Sequence, residues 1–574
     1  MGRMADAFAA ELAAVRPDLS AAYAAALPGA QAAVLGRLWR SLLYEPLPGV
    51  AASPGLPCPG PAGAPLDQTE RAGAPPVPAA PGPAAPPGPT GRGEAVVLLC
   101  DGRRLTGRAR LPYDLCGESA LWLDDRPWTH PAELLAALRL PGTGRLVEDL
   151  DNSVASLALS RANATAARTD ISTPEDYEQS VVDGHPYHPC CRNRPGVSVA
   201  EQLAYMPEHR PMVTLDLVAV PAADCLVSGA WPAALTDGDR LLLPVHPWQT
   251  RHVLPALGLR PYVTGAIPAR PLMSVRTLAP LDGGPHLKTA FSTRMTSDVR
   301  DISPGSIRDC VALSHLLTEL STRLGGRLRV ARYLAGAAAA AKGEHSADLS
   351  VMLREPTSAV AGSGTVLPVA GSATVLPVAG SATVLPVAAV TREMIGNPAG
   401  WLAAFARLAL TDALGLLALG AALEAHGQNL LVVLDGDGRP SRLIYRDLAD
   451  VRLSPARLAR NGVEVPPVSA RLLSDDPGVL HAKLFGSLIG TTFGSLISLF
   501  CRGERAEESR LWAVVAAAAR EAFDGLPRGP DARADRNALF GPHITVKAHL
   551  VAQLEGAPPG DSWTRLPNPL TTPI

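Results

Sequence analysis

Residues 46–93 cannot build a hydrophobic core. The segment runs through GAPPVPAAPGPAAPPGPTG, and proline, alanine and glycine supply too little large apolar surface to offset the entropy of ordering the backbone. It reads as a disordered or polyproline insert. Apolar side chains at helical spacing over residues 5–43 precede it, and a dense region opening on AVVLLCDG follows, so the two flanks are expected to form one domain. A second interruption lies at residues 362–388, where GSGTVLPVA, GSATVLPVA and GSATVLPVA stand in tandem. Solenoid units are longer and more numerous, so the copies read as a slippage expansion of a surface loop. At 574 residues the chain is too long for a single core. The expected division is an N-terminal domain (1–168) carrying the insert, a middle domain (169–360), the repeated loop (361–390) and a C-terminal domain (391–574).

The 52 lysines and arginines are matched by 54 acidic residues, which excludes a global basic field and with it a general nucleic-acid binder. Small molecules become the expected partners. The N-terminal MGRMADAFAAELAAV places Asp6 and Glu11 where a signal peptide needs apolar residues, so a cytoplasmic protein is expected. Eight cysteines without a CxxC pair fit reduced thiols. The uncharged run LFGSLIGTTFGSLISLFC (484–501) is short for a bilayer span and rich in Gly, Ser and Thr, so it reads as a buried core helix, and no membrane partner is expected. Only four lysines occur, at 288, 342, 483 and 547. In a chain so biased towards arginine, a retained lysine is the better functional candidate.

In the C-terminal region, PAGWLAAFARLALTDALGLLALGAALEAHG (398–427) reads as one long helix closed by Gly427, with His426 at its end. NLLVVLDGDGRPSRLIYRDL then reads as strand, Asp-Gly turn, strand. Antiparallel pairing brings His426, Gln428 and Asn429 close to Arg446 and Asp447. In the middle region, LKTAFSTRM alternates like one strand and projects Lys288 from a sheet face, with Thr296, Ser297 and Arg300 at its end. Arginine forks, a lysine point charge and hydroxyls suit anionic oxygens, although a solvated strand with ordinary surface pairs is the alternative for that block alone. An Asn and an Asp beside those cations are oxygen donors of the kind that hold Mg²⁺ at a nucleotide's phosphates, which points to ATP. No GxxxxGK[ST] loop is present, so a P-loop fold is excluded.

GHPYHPCCRNRPG (184–196) offers two histidines and two cysteines, the crude count for zinc. Residues before proline are extended, and adjacent residues of an extended chain point to opposite sides, so Cys190 and Cys191 do not share an ion. His185 and His188 read instead as donors to an acid's carboxylates, with Arg192 and Arg194 in support; which histidine faces the cleft stays open.

Together with VHPWQ (245–249), SVRT, the 288–300 block, HGQN, YRD, ITVKAHLVAQL (544–554) and NPL (568–570), this segment resembles the motif series of the IucA/IucC family, siderophore synthetases that work without a nonribosomal peptide synthetase. The resemblance implies an α+β cupped-hand fold of thumb, fingers and palm, with mixed and antiparallel sheets and a helical C-terminal part. It implies ATP and Mg²⁺ as cofactors, a carboxylic acid and an amine or alcohol as substrates, and a homodimer. In that family ATP adenylates a carboxylate, pyrophosphate leaves, and the acyl adenylate passes to an amine or hydroxyl. By position, Ser274, Arg276, Thr277 and Lys288 look like nucleotide and phosphate contacts. Thr296, Ser297, Arg300 and His426 look like the group around the reacting carboxylate. Gln428, Asn429 and Asp447 fall at metal and phosphate contacts, Asn429 and Asp447 taking Mg²⁺. Arg300, His426 and Lys288 stand as catalytic, and His185, His188 and Arg192 as acid-binding. Arg192 departs from the lysine usual there. Whether His426 donates to the carboxylate or accepts the amine's proton is left open, as are the acid and the nucleophile. A kinase-like phosphotransferase is the alternative reading.

Overall fold

The helical start forms two helices, Arg3–Val15 and Ser20–Tyr44, interrupted where Arg16 precedes Pro17. The structure, a computed structural model, describes residues 2–54, 93–166, 171–361, 383–557 and 560–571. Leu12, Tyr23, Leu35 and Trp39 are buried in one core with Leu150, Val154 and Leu157 of the Gly144–Ala166 helix. A five-stranded antiparallel sheet completes this part, and within it Val50 lies opposite Leu99. The flanks of the Pro-rich segment therefore pair directly, and the folded chain continues past 46 to residue 54. The rest of the insert lies outside the described residues.

A nine-stranded antiparallel sheet forms the middle of the molecule. An interior strand, His286–Thr289, pairs with Thr277–Pro280 on one side and Glu344–Arg354 on the other. Leu287 enters the core made with Leu215, Leu243, Leu278 and Leu353. Lys288 takes the opposite face, because successive strand residues alternate. That face is covered too, so Lys288 is only 3% exposed and the solvated-strand alternative fails. The expected single strand is in fact two. After Ala290 the chain leaves the large sheet, and Phe291–Met295 pairs with Asp298–Arg300 in a separate hairpin. VHPWQ explains the departure: Gln249 accepts from Ser292 N at 2.9 Å and donates to its hydroxyl at 2.8 Å.

The C-terminal helix, Pro398–Leu419, ends at Gly420 rather than at Gly427. Gly420 is in left-handed backbone (φ 114°), its N–H bonds the Leu416 and Leu417 carbonyls, and a Cβ there would meet Leu458 N at 2.9 Å. Ala421–Ala422 then pairs with Arg452–Leu453, and that tertiary contact overrides a helical pattern. The expected hairpin is present as Leu430–Leu434 and Pro440–Tyr445. Thr383–Pro386, the TVLP of the third nine-residue copy, pairs with it, and Leu385 is fully buried. The described part of the last copy is thus a core strand and not a surface loop; the remaining copies lie outside the described residues. The run 484–501 is helical, continuing from Pro477–Phe485 through a π-helical Gly486–Phe493 to Gly494–Cys501, with Leu488, Ile489, Phe493 and Ile497 buried. The architecture is mixed α and β with predominantly antiparallel sheets.

Candidate active site

Lys288 ties the middle sheet to the C-terminal hairpin. Its Nζ donates to Asp447 Oδ1 at 2.6 Å and to the Tyr333 hydroxyl at 3.2 Å. Burial pushes the ammonium down to about 8 despite Asp447, and Arg276 and Arg354 add to the push. Burial alone would raise the Asp447 carboxyl, but Lys288, Arg276 and Arg354 hold it well below the usual carboxylate range. Arg276 bonds the Asp301 carbonyl, and Ser274 Oγ donates to Thr277 Oγ1 at 2.8 Å, with Thr277 opposite Lys288 in the sheet. Arg300 Nη2 donates to Met295 O at 2.9 Å. Val275, Thr296 and Asp447 all hold left-handed backbone, with φ of 67°, 61° and 65°. For β-branched Val275 and Thr296 such strain costs about 1–3 kcal/mol each, and it persists only where the surroundings over-determine it.

The hairpin register places Asn429 beside Arg446, whose N–H donates to Asn429 O at 3.0 Å. Asn429 Nδ2 turns to the Glu424 carbonyl at 3.3 Å, and Arg446 Nε bonds Gln428 O at 3.0 Å. Arg446 also grips Glu178 with both forks. Glu178 in turn accepts from Met273 N at 3.1 Å, so this pair fixes the Ser274–Thr277 turn to the hairpin. The imidazole of His426 lies 3.9 Å from Glu424, and burial keeps it below its ordinary pKa.

The His-Pro steps have a shared local logic. Proline lacks an N–H, so the first free amide after each histidine is two residues on. Imidazole Nδ1 accepts it in every case: His185 from Tyr187 N (3.2 Å), His188 from Cys190 N (3.0 Å) and His246 from Trp248 N (3.1 Å). With Nδ1 accepting, Nε2 carries the proton. His188 Nε2 donates to Ser297 Oγ at 2.8 Å, which joins the His-Pro segment to the Arg300 hairpin. Burial, then Arg300 and Arg37, push His188 down to about 3. His246 is buried between Tyr205 and Phe291 and serves packing.

Arg192 does not join the histidines. Its guanidinium bonds the Val181 and Val182 carbonyls (2.5 and 2.8 Å) and lies 3.7 Å from buried Glu208. Arg194 also pairs with Glu208, at 2.6 Å. A sharp turn at Cys190–Asn193 sends this half of the motif into the core, so sequence neighbours of His188 face the other way. Cys190 and Cys191 are buried, and among the described residues no group of three His, Cys, Asp or Glu side chains could hold a metal ion.

Residues 173–374 match the family model described as IucA / IucC family. Over those residues the chain is similar to the IucA/IucC family. Residues 399–559 match a second description, ferric iron reductase FhuF-like transporter, but Cys501 is the one cysteine there, too few for an iron–sulfur cluster. Among its relatives, staphyloferrin A synthase of Staphylococcus aureus is 24% identical over 66% of this chain and 70% of its own length. D-ornithine–citrate ligase of the same organism is 21% identical over 77% and 80%. The fold is similar to that of the petrobactin biosynthesis protein AsbB from Bacillus anthracis (TM-score 0.72, 16% identity, covering 96% of this chain and 98% of that one). It is also similar to ATP-bound aerobactin synthetase IucA from Klebsiella pneumoniae (TM-score 0.65, 21% identity, covering 83% and 95%).

A charge ring that the motifs did not reveal stands beside these residues. Lys547 Nζ lies 2.7 Å from Glu424 and 2.9 Å from Asp561. Lys483, 2% exposed, bridges the same two carboxylates at 3.2 and 3.0 Å. Burial would lower Lys547, but Glu424 and Asp561 raise it above its ordinary value. The rarity of lysine was the signal: three of the four stand in these charge networks, Lys288 and Lys483 buried and Lys547 partly exposed.

Proposed function

We propose that the chain is an ATP-dependent synthetase of siderophore biosynthesis. It adenylates a carboxylate, with citrate or a citrate or succinate derivative as the acid, and condenses it with an amine or hydroxyl. The observation that carries this reading is the cationic surplus at Lys288: Asp447 is ion-paired with Lys288, while Arg276 and Arg300 bond backbone carbonyls and Arg354 bonds His286, none of the three having a carboxylate at ion-pair distance among the described residues. A triphosphate and a carboxylate repel each other, and this surplus supplies the compensating charge. The relatives named as a synthase and a ligase, and the ATP-bound state of the similar synthetase, support the same reading.

In this reading the acid's carboxylate oxygen attacks the α-phosphorus, the bond to the bridging oxygen breaks, and pyrophosphate leaves. Arg300, Thr296 and Ser297 hold the attacking carboxylate, while Lys288 and Arg276 take the phosphate oxygens. The nucleophile's nitrogen or oxygen then attacks the acyl carbon, AMP departs, and the nucleophile's proton passes to a base; neutral His426 beside Glu424 has the chemistry for that role. Mg²⁺ fits the donors present, since Asp447 keeps a second carboxylate oxygen and Asn429 an amide oxygen, and Mg²⁺ needs only one or two such ligands beside phosphates. When bound it would supply charge neutralisation at the phosphates.

Pyrophosphate release, measured with a panel of acids first without and then with amines, tests the reading. Arg300→Ala is expected to abolish release with the fold intact. Normal turnover in that variant overturns the proposal, and ADP in place of AMP as product favours a phosphotransferase.

A further inference from the structure

His549 is unused by the function proposed above, yet it stands inside the site. It lies two residues past Lys547, and its ring packs against His185 (centroids 4.6 Å) and His188 (5.1 Å). Its backbone is held from the opposite end of the chain. Glu45, fully buried at the end of the Ser20–Tyr44 helix, accepts from the N–H groups of His549, Leu550 and Val551 at 3.1, 2.7 and 3.0 Å. One carboxylate receiving three amides fixes where the imidazole stands. Arg37, from the same helix, bonds the His185 and Pro186 carbonyls at 3.2 and 2.9 Å and fixes the facing segment.

The contacts run in series. Ser297, on the Arg300 hairpin, bonds His188; His188 packs on His549; and His549 follows Lys547. On the synthetase reading the Ser297 end of that series lies at the carboxylate to be adenylated, and the His549 end leads away from it. The charged side chains acting on the three rings are cations: Arg37, Arg40, Arg294, Arg300 and Lys547. Burial, with those cations, keeps all three imidazoles neutral at physiological pH. A neutral imidazole in a positive field donates an N–H to an anion.

We infer that His549 is a specificity-determining residue of the acid subsite, joining His185 to take a carboxylate of the acid other than the one adenylated, while His188, its N–H given to Ser297, packs against the ring of His549. The inference rests on the synthetase reading and deepens it: the preferred acid is a tricarboxylate, and the group held here is the one that a dicarboxylate such as succinate lacks.

The test is ATP–pyrophosphate exchange with citrate, tricarballylate and succinate, in wild type, His549→Leu and His549→Gln. His549→Leu is expected to raise KM for the two tricarboxylates about tenfold, the scale of one hydrogen bond to a charged group. Its kcat, its KM for ATP and its KM for succinate are expected to stay at wild-type values, and His549→Gln, which keeps an N–H donor, to recover part of the loss. Equal KM changes for all three acids, a parallel change for ATP, or no change at all overturns the inference. If His549→Leu fails to fold, the tricarboxylate-to-succinate KM ratio in His549→Gln decides in the same way, an unchanged ratio overturning it. Exchange in wild type with none of the acids overturns the synthetase reading itself and the inference with it.

Discussion

Lys288 and Lys483 are about equally buried, at 3% and 2% exposure, yet their surroundings differ in kind. Lys288 shares a single carboxylate, Asp447, with Arg276 and Arg354 nearby. Lys483 has two carboxylates, Glu424 and Asp561, and among the described residues shares their ion pairs with one other lysine, Lys547. The first neighbourhood has positive charge in surplus; the second is balanced within itself. Burial alone therefore says little about role. A surplus held in place by the fold suits an incoming anion, whereas a closed ring ties the His543–Lys547 strand, the segment before His426 and the Pro477–Phe485 helix together.

The comparison breaks most visibly at Lys288. Lys288→Met is expected to lower kcat/KM for ATP about 10²–10³-fold, the scale of losing one preorganised electrostatic donor. Steady-state pyrophosphate release checks it, and near-normal kcat/KM would put Lys288 among ordinary core pairs. The next effect is on stability. Lys483→Met leaves Glu424 and Asp561 with Lys547 alone, and is expected to cost about 3 kcal/mol in urea denaturation, as removing one partner of a buried ion pair does. Its kcat/KM, measured on the folded fraction, should fall far less than that of Lys288→Met. If the two variants exchange behaviours, the assignment of site and scaffold is reversed.

How much of this was legible depends on range along the chain. The hairpin at residues 430–445 was readable because an Asp-Gly turn and flanking apolar runs are local signals. The motif series found Lys288, Asp447, Ser297 and His188, which the fold does bring into contact chains. Helix termination at Gly420 was not readable, since the apolar pattern continues through Ala421, Ala422 and Leu423 and only pairing with Arg452–Leu453 ends it. The ring of Glu424, Lys483, Lys547 and Asp561 joins residues 59 and 78 positions apart and leaves no period in the sequence. Arg192 misled for the opposite reason: closeness in sequence to His188 suggested a shared face, but the turn after Cys190 carries it to Glu208. The His-Pro caps were derivable, because a missing proline N–H and an extended preceding residue leave the imidazole facing the next amide.

The smallest effect separates the two lysines by pH. Lys288 is pushed down to about 8, so it loses its charge as pH rises through that value, while Lys547 is raised and keeps its charge well beyond. On the proposed reading, kcat/KM for ATP should fall above pH 8, approaching a tenfold loss per pH unit, and Lys288→Arg should remove the fall because a guanidinium stays protonated there. Stability should move the other way. The folded lysine releases its proton near pH 8 and the unfolded one near its ordinary 10.5, so between pH 8 and 9 the unfolded state binds more protons and Lys288 contributes a gain in stability as pH rises. Its unfavourable burial is relieved on deprotonation. Opposed slopes of activity and stability over that interval, both flattened in Lys288→Arg, identify the buried ammonium as the titrating group. Parallel slopes would instead assign the pH dependence to loss of the fold.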